Sequence, residues 1–183
     1  MKTLRAVLLI SLALSLPVLS LSADEPVDKA EIVQTSMTIL GATAGLGAGA
    51  AIGLGFSLDA IDTPLSNTLR VTIPVAAAGA AAGALAGRWI ADVTLRHQPS
   101  PLFSIIEGAG LGLVAGAFVG AVVFPLNFLL AYPILEVPEG YWGKFDYLPT
   151  IGMGIVAGAV WGGIFGSMAG AVTVPILSLL MGF

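Results

Sequence analysis

Four long apolar segments, each with small residues at intervals of four, dominate the pattern of this chain. Apolar runs of about 20 residues are long enough to cross the ~30 Å hydrocarbon core of a bilayer. The predicted fold class is therefore an all-α membrane protein, a four-transmembrane-helix bundle that forms a single domain over residues 37–183. We place the helices at about 37–57, 70–95, 103–131 and 149–182.

Glycine occupies most positions of the four-residue repeat. Four residues are slightly more than one helical turn, so the glycines form a narrow, smooth stripe along one side of each helix. In lipid, such stripes let helix backbones approach closely, and van der Waals contact replaces the missing hydrophobic drive. We therefore expect glycine-zipper (small-xxx-small) packing between the helices. The predicted packing residues are Gly41, Gly45, Gly49, Gly53, Gly79, Gly83, Gly87, Gly108, Gly112, Gly116, Gly120, Gly154, Gly158, Gly162, Gly166 and Gly170.

Composition agrees with insertion in a lipid bilayer. The chain is 57% hydrophobic and 10% charged, against about 25% charged residues in soluble domains. The net charge of −4 is small and scattered, so we expect no nucleic-acid partner. The absence of cysteine excludes disulfides, thiolate metal ligands and a cysteine nucleophile.

Residues 1–23, called the leader here, have the pattern of a secretory signal peptide. A positive amino-terminal region precedes an apolar core at 6–16, and polar residues follow from Asp24. The alternative is an uncleaved fifth membrane anchor. Residues 24–36 would form a short polar amino-terminal segment, and the expected location is the bacterial cytoplasmic (inner) membrane.

The three connections between the predicted helices differ in kind. The loop at 58–69 is short and polar, and the loop at 96–102 is tight and contains two prolines. The second and third helices should therefore be antiparallel neighbours. The connection at 132–148 mixes aromatic and charged residues, which is typical of an interfacial segment. We expect kinks or helix ends at prolines within the third and fourth segments, namely Pro125, Pro133 and Pro175.

Two sequence features predict opposite orientations of the chain in the membrane. A signal peptide places residue 24 outside the cytoplasm, which puts the loop at 96–102 outside as well. Arg88 and Arg96 then lie at the outer end, against the tendency of basic residues to stay inside. The sequence therefore leaves the orientation open.

The two halves of the chain show a weak internal similarity, which raises the possibility of a duplication. Residues 44–47 match 109–112, and three glycines from position 79 align with three from position 158. A true duplication would make the chain a two-plus-two repeat of the kind some transporters show. We favour the simpler interpretation, in which any two glycine-rich helices align on their glycines.

Ionisable residues beside membrane helices are the first candidates for function. Arg88 and Asp92 are four residues apart, a spacing that permits an ion pair, and Glu107 lies near the start of the next helix. We predict that these three form an interfacial charge cluster, which acts as an electrostatic staple or, alternatively, as a relay or gate. His97 is the only histidine, so we predict no catalytic residues, no metal site and no cofactor.

The sequence thus predicts a non-enzymatic integral membrane protein. We expect a structural or assembly component that packs with itself or with a partner membrane protein through its glycine-zipper helices. The alternative is a small channel or transporter with the charge cluster at one membrane interface. An enzyme that acts on lipids is a weaker option, because we find no set of residues for it.

Overall fold

A computed structural model of the protein describes residues 29–58, 64–134 and 147–181, and their regular structure is entirely α-helical. The helices are α1 (Lys29–Leu58), α2 (Leu65–His97), α3 (Pro101–Ile134) and α4 (Tyr147–Met181). Each contains a span long and apolar enough to cross a membrane: Lys29–Gly55, Leu65–His97, Phe103–Ala131 and Pro149–Leu179. The prediction of an all-helical protein with four helices of membrane-spanning length is confirmed.

Helix α1 begins at Lys29, earlier than the predicted start at 37. The predicted polar segment at 24–36 is therefore helical from Lys29 onward. The physical reason lies in its side chains, because Val33 and Met37 pack with Ala91 of α2 in one buried cluster. Tertiary packing of this kind supplies most of a helix's stability.

Some predicted features lie outside the described residues. These are the leader, the first residues of the predicted polar segment, part of the connection at 58–69 and most of the connection at 132–148. The corresponding ranges are 1–28, 59–63 and 135–146.

Two of the three predicted prolines, Pro125 and Pro175, do not end the helices in which they lie. Helix α3 continues through Pro125 and ends at Ile134, one residue after Pro133, and α4 continues through Pro175. A proline removes one backbone hydrogen bond, whereas a complete break inside lipid would leave many backbone groups unpaired. The expected helix end is therefore absent at Pro125 and Pro175, whereas α3 ends next to Pro133.

A tight turn joins α2 to α3. Gln98 has a left-handed backbone (φ 46°), and its N–H donates to the carbonyl oxygen of Thr94 at 2.9 Å. This is a common way for a helix to end. Helix α3 then starts at Pro101, a position where the missing N–H of proline costs nothing.

The helices form two hairpins. Helix α1 packs along α2 and α3 packs along α4, while contact between α2 and α3 joins the hairpins. Most large apolar side chains outside these contacts are exposed on the surface of the bundle. Four buried residues from α2 and α3 form the cluster that joins the hairpins: Val71, Val75, Val123 and Ala131.

Candidate functional site

Pairs of helices are in direct backbone contact along two rows of glycines, which we call the glycine seams. One seam lies between α1 and α2 and the other between α3 and α4. In six pairs of glycines, a Cβ on either residue would overlap with the carbonyl oxygen of the other. Such contacts leave no room for any residue except glycine. The pairs are Gly41–Gly83, Gly45–Gly79, Gly108–Gly170, Gly112–Gly166, Gly116–Gly162 and Gly120–Gly158.

The other predicted packing glycines also lie against a neighbouring helix. Gly53 would place a Cβ 2.8 Å from the Cα of Thr72, and Gly154 would place one 3.1 Å from the ring of Phe128. Gly49 and Gly87 likewise approach the backbone of the opposite helix. By contrast, a Cβ would meet no heavy atom of the described structure within 4 Å at Gly47, Gly55, Gly110 and Gly152.

The predicted charge cluster is divided between two separate contacts. The Gln34 side-chain N–H donates to the Asp92 carboxylate at 2.7 Å, which links α1 to α2. The Nδ1 atom of His97 lies 3.0 Å from a carboxylate oxygen of Glu107, which links the end of α2 to the start of α3. Arg88 is exposed and forms no ion pair with any residue that the structure describes. The structure therefore does not join the three residues in one ion-pair cluster.

The sequence does not predict Gln34 as the partner of Asp92 or His97 as the partner of Glu107, for two different reasons. The sequence places Gln34 in a polar segment before the first predicted helix, so it does not predict that Gln34 lies beside α2. His97 is the only histidine and lies in a predicted loop, so the sequence pattern gives no sign of its contact with Glu107. Its side chain is 65% exposed and that of Glu107 is 22% exposed, so their contact lies at the surface, where ion pairs contribute little stability.

Asn127 is the most unusual polar residue of the interior. It is fully buried, and neither atom of its amide has a hydrogen-bond partner among the described residues. Val123 and Ala131, one turn away on either side, pack in the cluster with α2. Unpaired buried amides are costly. Buried hydroxyls without a described partner occur at Thr72, Thr94 and Ser178.

An apolar cleft of about 680 Å³ lies between the two hairpins. All four helices contribute to it, and none of the described residues that line it is charged. Trp161 and Phe165 of α4 stack in its wall with ring centroids 6.0 Å apart. Ala44 of α1 and Ala115 of α3 contribute small side chains. Such a lining is suited to hydrocarbon or to an apolar helix and poorly suited to an ion.

Within residues 29–58, 64–134 and 147–181, no group of three histidine, aspartate or glutamate side chains is placed to hold a metal ion. No known protein family, curated protein or solved structure matches this chain. Its function is therefore inferred from the sequence and the helix geometry alone.

Proposed function

We propose that this protein is a non-enzymatic structural or assembly component of the bacterial cytoplasmic membrane, which associates with a second copy or with a partner membrane protein. The observation that carries the proposal is the pair of glycine seams. Glycine-zipper packing lets the helices of each hairpin associate in lipid without large side chains between them. The result is a small bundle built mainly from helix contacts.

The position of the glycine seams also determines which surface of the bundle a partner protein would contact. All the predicted packing glycines lie against another helix of the same chain. A partner would therefore contact the larger apolar side chains on the outside of the bundle. These are numerous on every helix and include Leu46, Ile73, Phe118 and Phe165.

Substitution of seam glycines tests this role. We expect Gly116→Leu to disrupt the hairpin and any complex that depends on it, because Gly116 meets the backbone of Gly162. Gly110→Leu on the same helix is the matched control, because Gly110 faces open space. The complex should survive the control substitution. Loss of the complex in both variants, or in neither, would argue against the proposal.

A small channel or transporter is the second candidate. It is favoured by the amide of Asn127, which has no hydrogen-bond partner among the described residues, and by the two carboxylates, Asp92 and Glu107, at one end of the bundle. Conduction needs polar groups along the pathway, whereas the cleft between the hairpins is apolar. Flux into liposomes that is lost in Glu107→Gln and Arg88→Ala, with assembly intact, would favour this candidate over the first.

A further inference from the structure

We propose that Arg88 binds the phosphate of an anionic phospholipid, in a site on the exposed surface of α2 that Trp89 and Arg96 complete. We call this the lipid-phosphate site. It goes beyond the assembly role and does not depend on it. Three features of the described chain support it: the depth of Arg88 in the membrane, the state of the nearby carboxylates, and the surface that surrounds the guanidinium group.

The charged residues of α2 place Arg88 at a boundary of the hydrocarbon core. Residues 71–87 carry no charge, and Arg70 and Arg88 bracket them. The rise from Arg70 to Arg88 along the helix is about 27 Å, which is close to the ~30 Å thickness of the core. Helix α2 then continues to His97, about 14 Å beyond Arg88. Arg88 therefore lies close to the level of the lipid phosphates.

The described part of the chain provides no counter-ion for the Arg88 guanidinium. Asp92 follows one turn later on α2, but its carboxylate accepts a hydrogen bond from the Gln34 side chain at 2.7 Å. Glu107 lies 3.0 Å from the Nδ1 atom of His97. No ion pair joins Arg88 to these carboxylates or to any other described residue. An arginine beside the membrane core pairs with a neighbouring group or extends to the interface, so a lipid phosphate is the partner that the site lacks.

The surface around Arg88 is suited to lipid. Leu85 is 64% exposed and Trp89 is 41% exposed, so the stem of the arginine side chain borders exposed apolar groups. Tryptophan is enriched at this depth, because its ring lies between hydrocarbon and headgroups. Arg96 is also exposed and lies two turns beyond Arg88, about 12 Å further along the helix. It supplies a second positive charge at the headgroup level.

An anionic lipid matches this site better than a zwitterionic lipid. Arginine presents several N–H donors in one plane and can bind a phosphate through two parallel hydrogen bonds. Phosphatidylglycerol carries an uncompensated phosphate charge, whereas the ammonium group of phosphatidylcholine offsets it. Each basic residue near a membrane surface favours acidic lipid by about fivefold. We therefore expect a preference for phosphatidylglycerol that depends on Arg88.

The first test is lipid binding by the delipidated full-length chain in mild detergent. Dioleoyl-phosphatidylglycerol and dioleoyl-phosphatidylcholine are titrated separately, and the rise in unfolding temperature gives the apparent affinity. Arg88→Gln should weaken binding of phosphatidylglycerol about fivefold and should affect binding of phosphatidylcholine less. The matched control is Leu85→Ala, which alters an exposed residue one turn before Arg88 and keeps the charge.

The unfolding temperature without lipid shows whether each variant keeps its fold. A folded Arg88→Gln variant that binds phosphatidylglycerol as tightly as the natural chain would overturn the proposal. An equal loss of binding in Leu85→Ala would also overturn it, because the effect would then reflect packing rather than charge. Inorganic phosphate should give no comparable rise in unfolding temperature, and a rise equal to that with the lipid would overturn the assignment to a headgroup.

The second test locates the lipid in vesicles and needs no change at Arg88. Trp142→Phe and Trp161→Phe leave Trp89 as the only tryptophan, and bromine on a lipid chain quenches the fluorescence of a neighbouring indole. The vesicles contain equal amounts of phosphatidylglycerol and phosphatidylcholine, and only one of the two lipids is brominated. Brominated phosphatidylglycerol should quench Trp89 more strongly than brominated phosphatidylcholine. Equal quenching would overturn the proposal and would leave Arg88 available to an acidic group of a partner protein.

Discussion

Gly112 of α3 and Gly166 of α4 lie so close that a Cβ on either residue would overlap with the carbonyl oxygen of the other. The same relationship recurs one turn away on both sides, at Gly108–Gly170 and at Gly116–Gly162. Close backbone approach brings Cα–H groups near carbonyl oxygens, and such contacts contribute about 0.5–1 kcal/mol each. A methyl group at this position would push the helices apart and weaken the neighbouring contacts.

The seam predicts a sharp difference between two glycines on one helix. Gly112→Ala should destabilise the protein by about 1–3 kcal/mol, the usual cost of overpacking. Gly110→Ala should be neutral or should stabilise the helix by up to about 1 kcal/mol, because Gly110 faces open space. Thermal unfolding in detergent measures both. Equal effects of the two substitutions would show that the seam does not limit the packing of α3 on α4.

The first hairpin allows the same comparison. Gly45 meets the backbone of Gly79, whereas Gly47 has no described neighbour within 4 Å of its Cβ position. Gly45→Ala should therefore lower the unfolding temperature and Gly47→Ala should not. Because Gly45 and Gly112 lie in different seams, the double variant should show the sum of the two effects within about 0.5 kcal/mol. A strongly non-additive result would mean that the hairpins do not pack as separate units.

The contact between Gln34 and Asp92 makes a further prediction. Gln34→Ala removes a hydrogen bond to a carboxylate in a partly buried site, and we expect a loss of about 1 kcal/mol. Arg88→Ala is the control at the same end of α2, and its effect should stay within about 0.5 kcal/mol, because Arg88 is exposed and unpaired among the described residues. A larger effect of the Arg88 substitution would restore the predicted role of Arg88 in a charge cluster.

Asn127 gives the clearest test of whether the interior holds a polar ligand. Leucine has a similar branched shape, so Asn127→Leu replaces a buried amide that lacks a partner in the described part of the chain with an apolar group. Relief of the desolvation penalty should raise stability by about 1–3 kcal/mol. Unfolding midpoints in detergent and in lipid nanodiscs provide the measurement. A marked loss of stability would indicate that the amide has a partner in the membrane, which favours the channel hypothesis.

The sequence predicted the four helices well because each signal is local. Continuous apolar length identifies a membrane-spanning helix, and glycine spacing selects the residues of one helix face. The start of α1 is harder to predict from the sequence, because it depends on how Val33 and Met37 pack against Ala91. That contact joins residues far apart in the chain, and no local sequence pattern indicates it.

The alignment of the two halves shows a second limit. The match of 44–47 with 109–112 pairs Gly45 with Gly110. In the structure, Gly45 lies in a seam and Gly110 faces open space, so the matched glycines occupy different faces of their helices. Glycine spacing identifies a stripe but not the helix that the stripe meets. The sequence does not predict the cleft either, because the shape of the cleft depends on how the two hairpins pack against each other.

The most direct test of the proposed role is the mass of the native particle extracted in mild detergent or as a native nanodisc. We predict a particle that contains a second copy of this chain or one partner membrane protein in fixed stoichiometry, unchanged in Glu107→Gln. A lone monomer, together with solute flux in liposomes that Glu107→Gln abolishes, would contradict the assembly role and support transport instead.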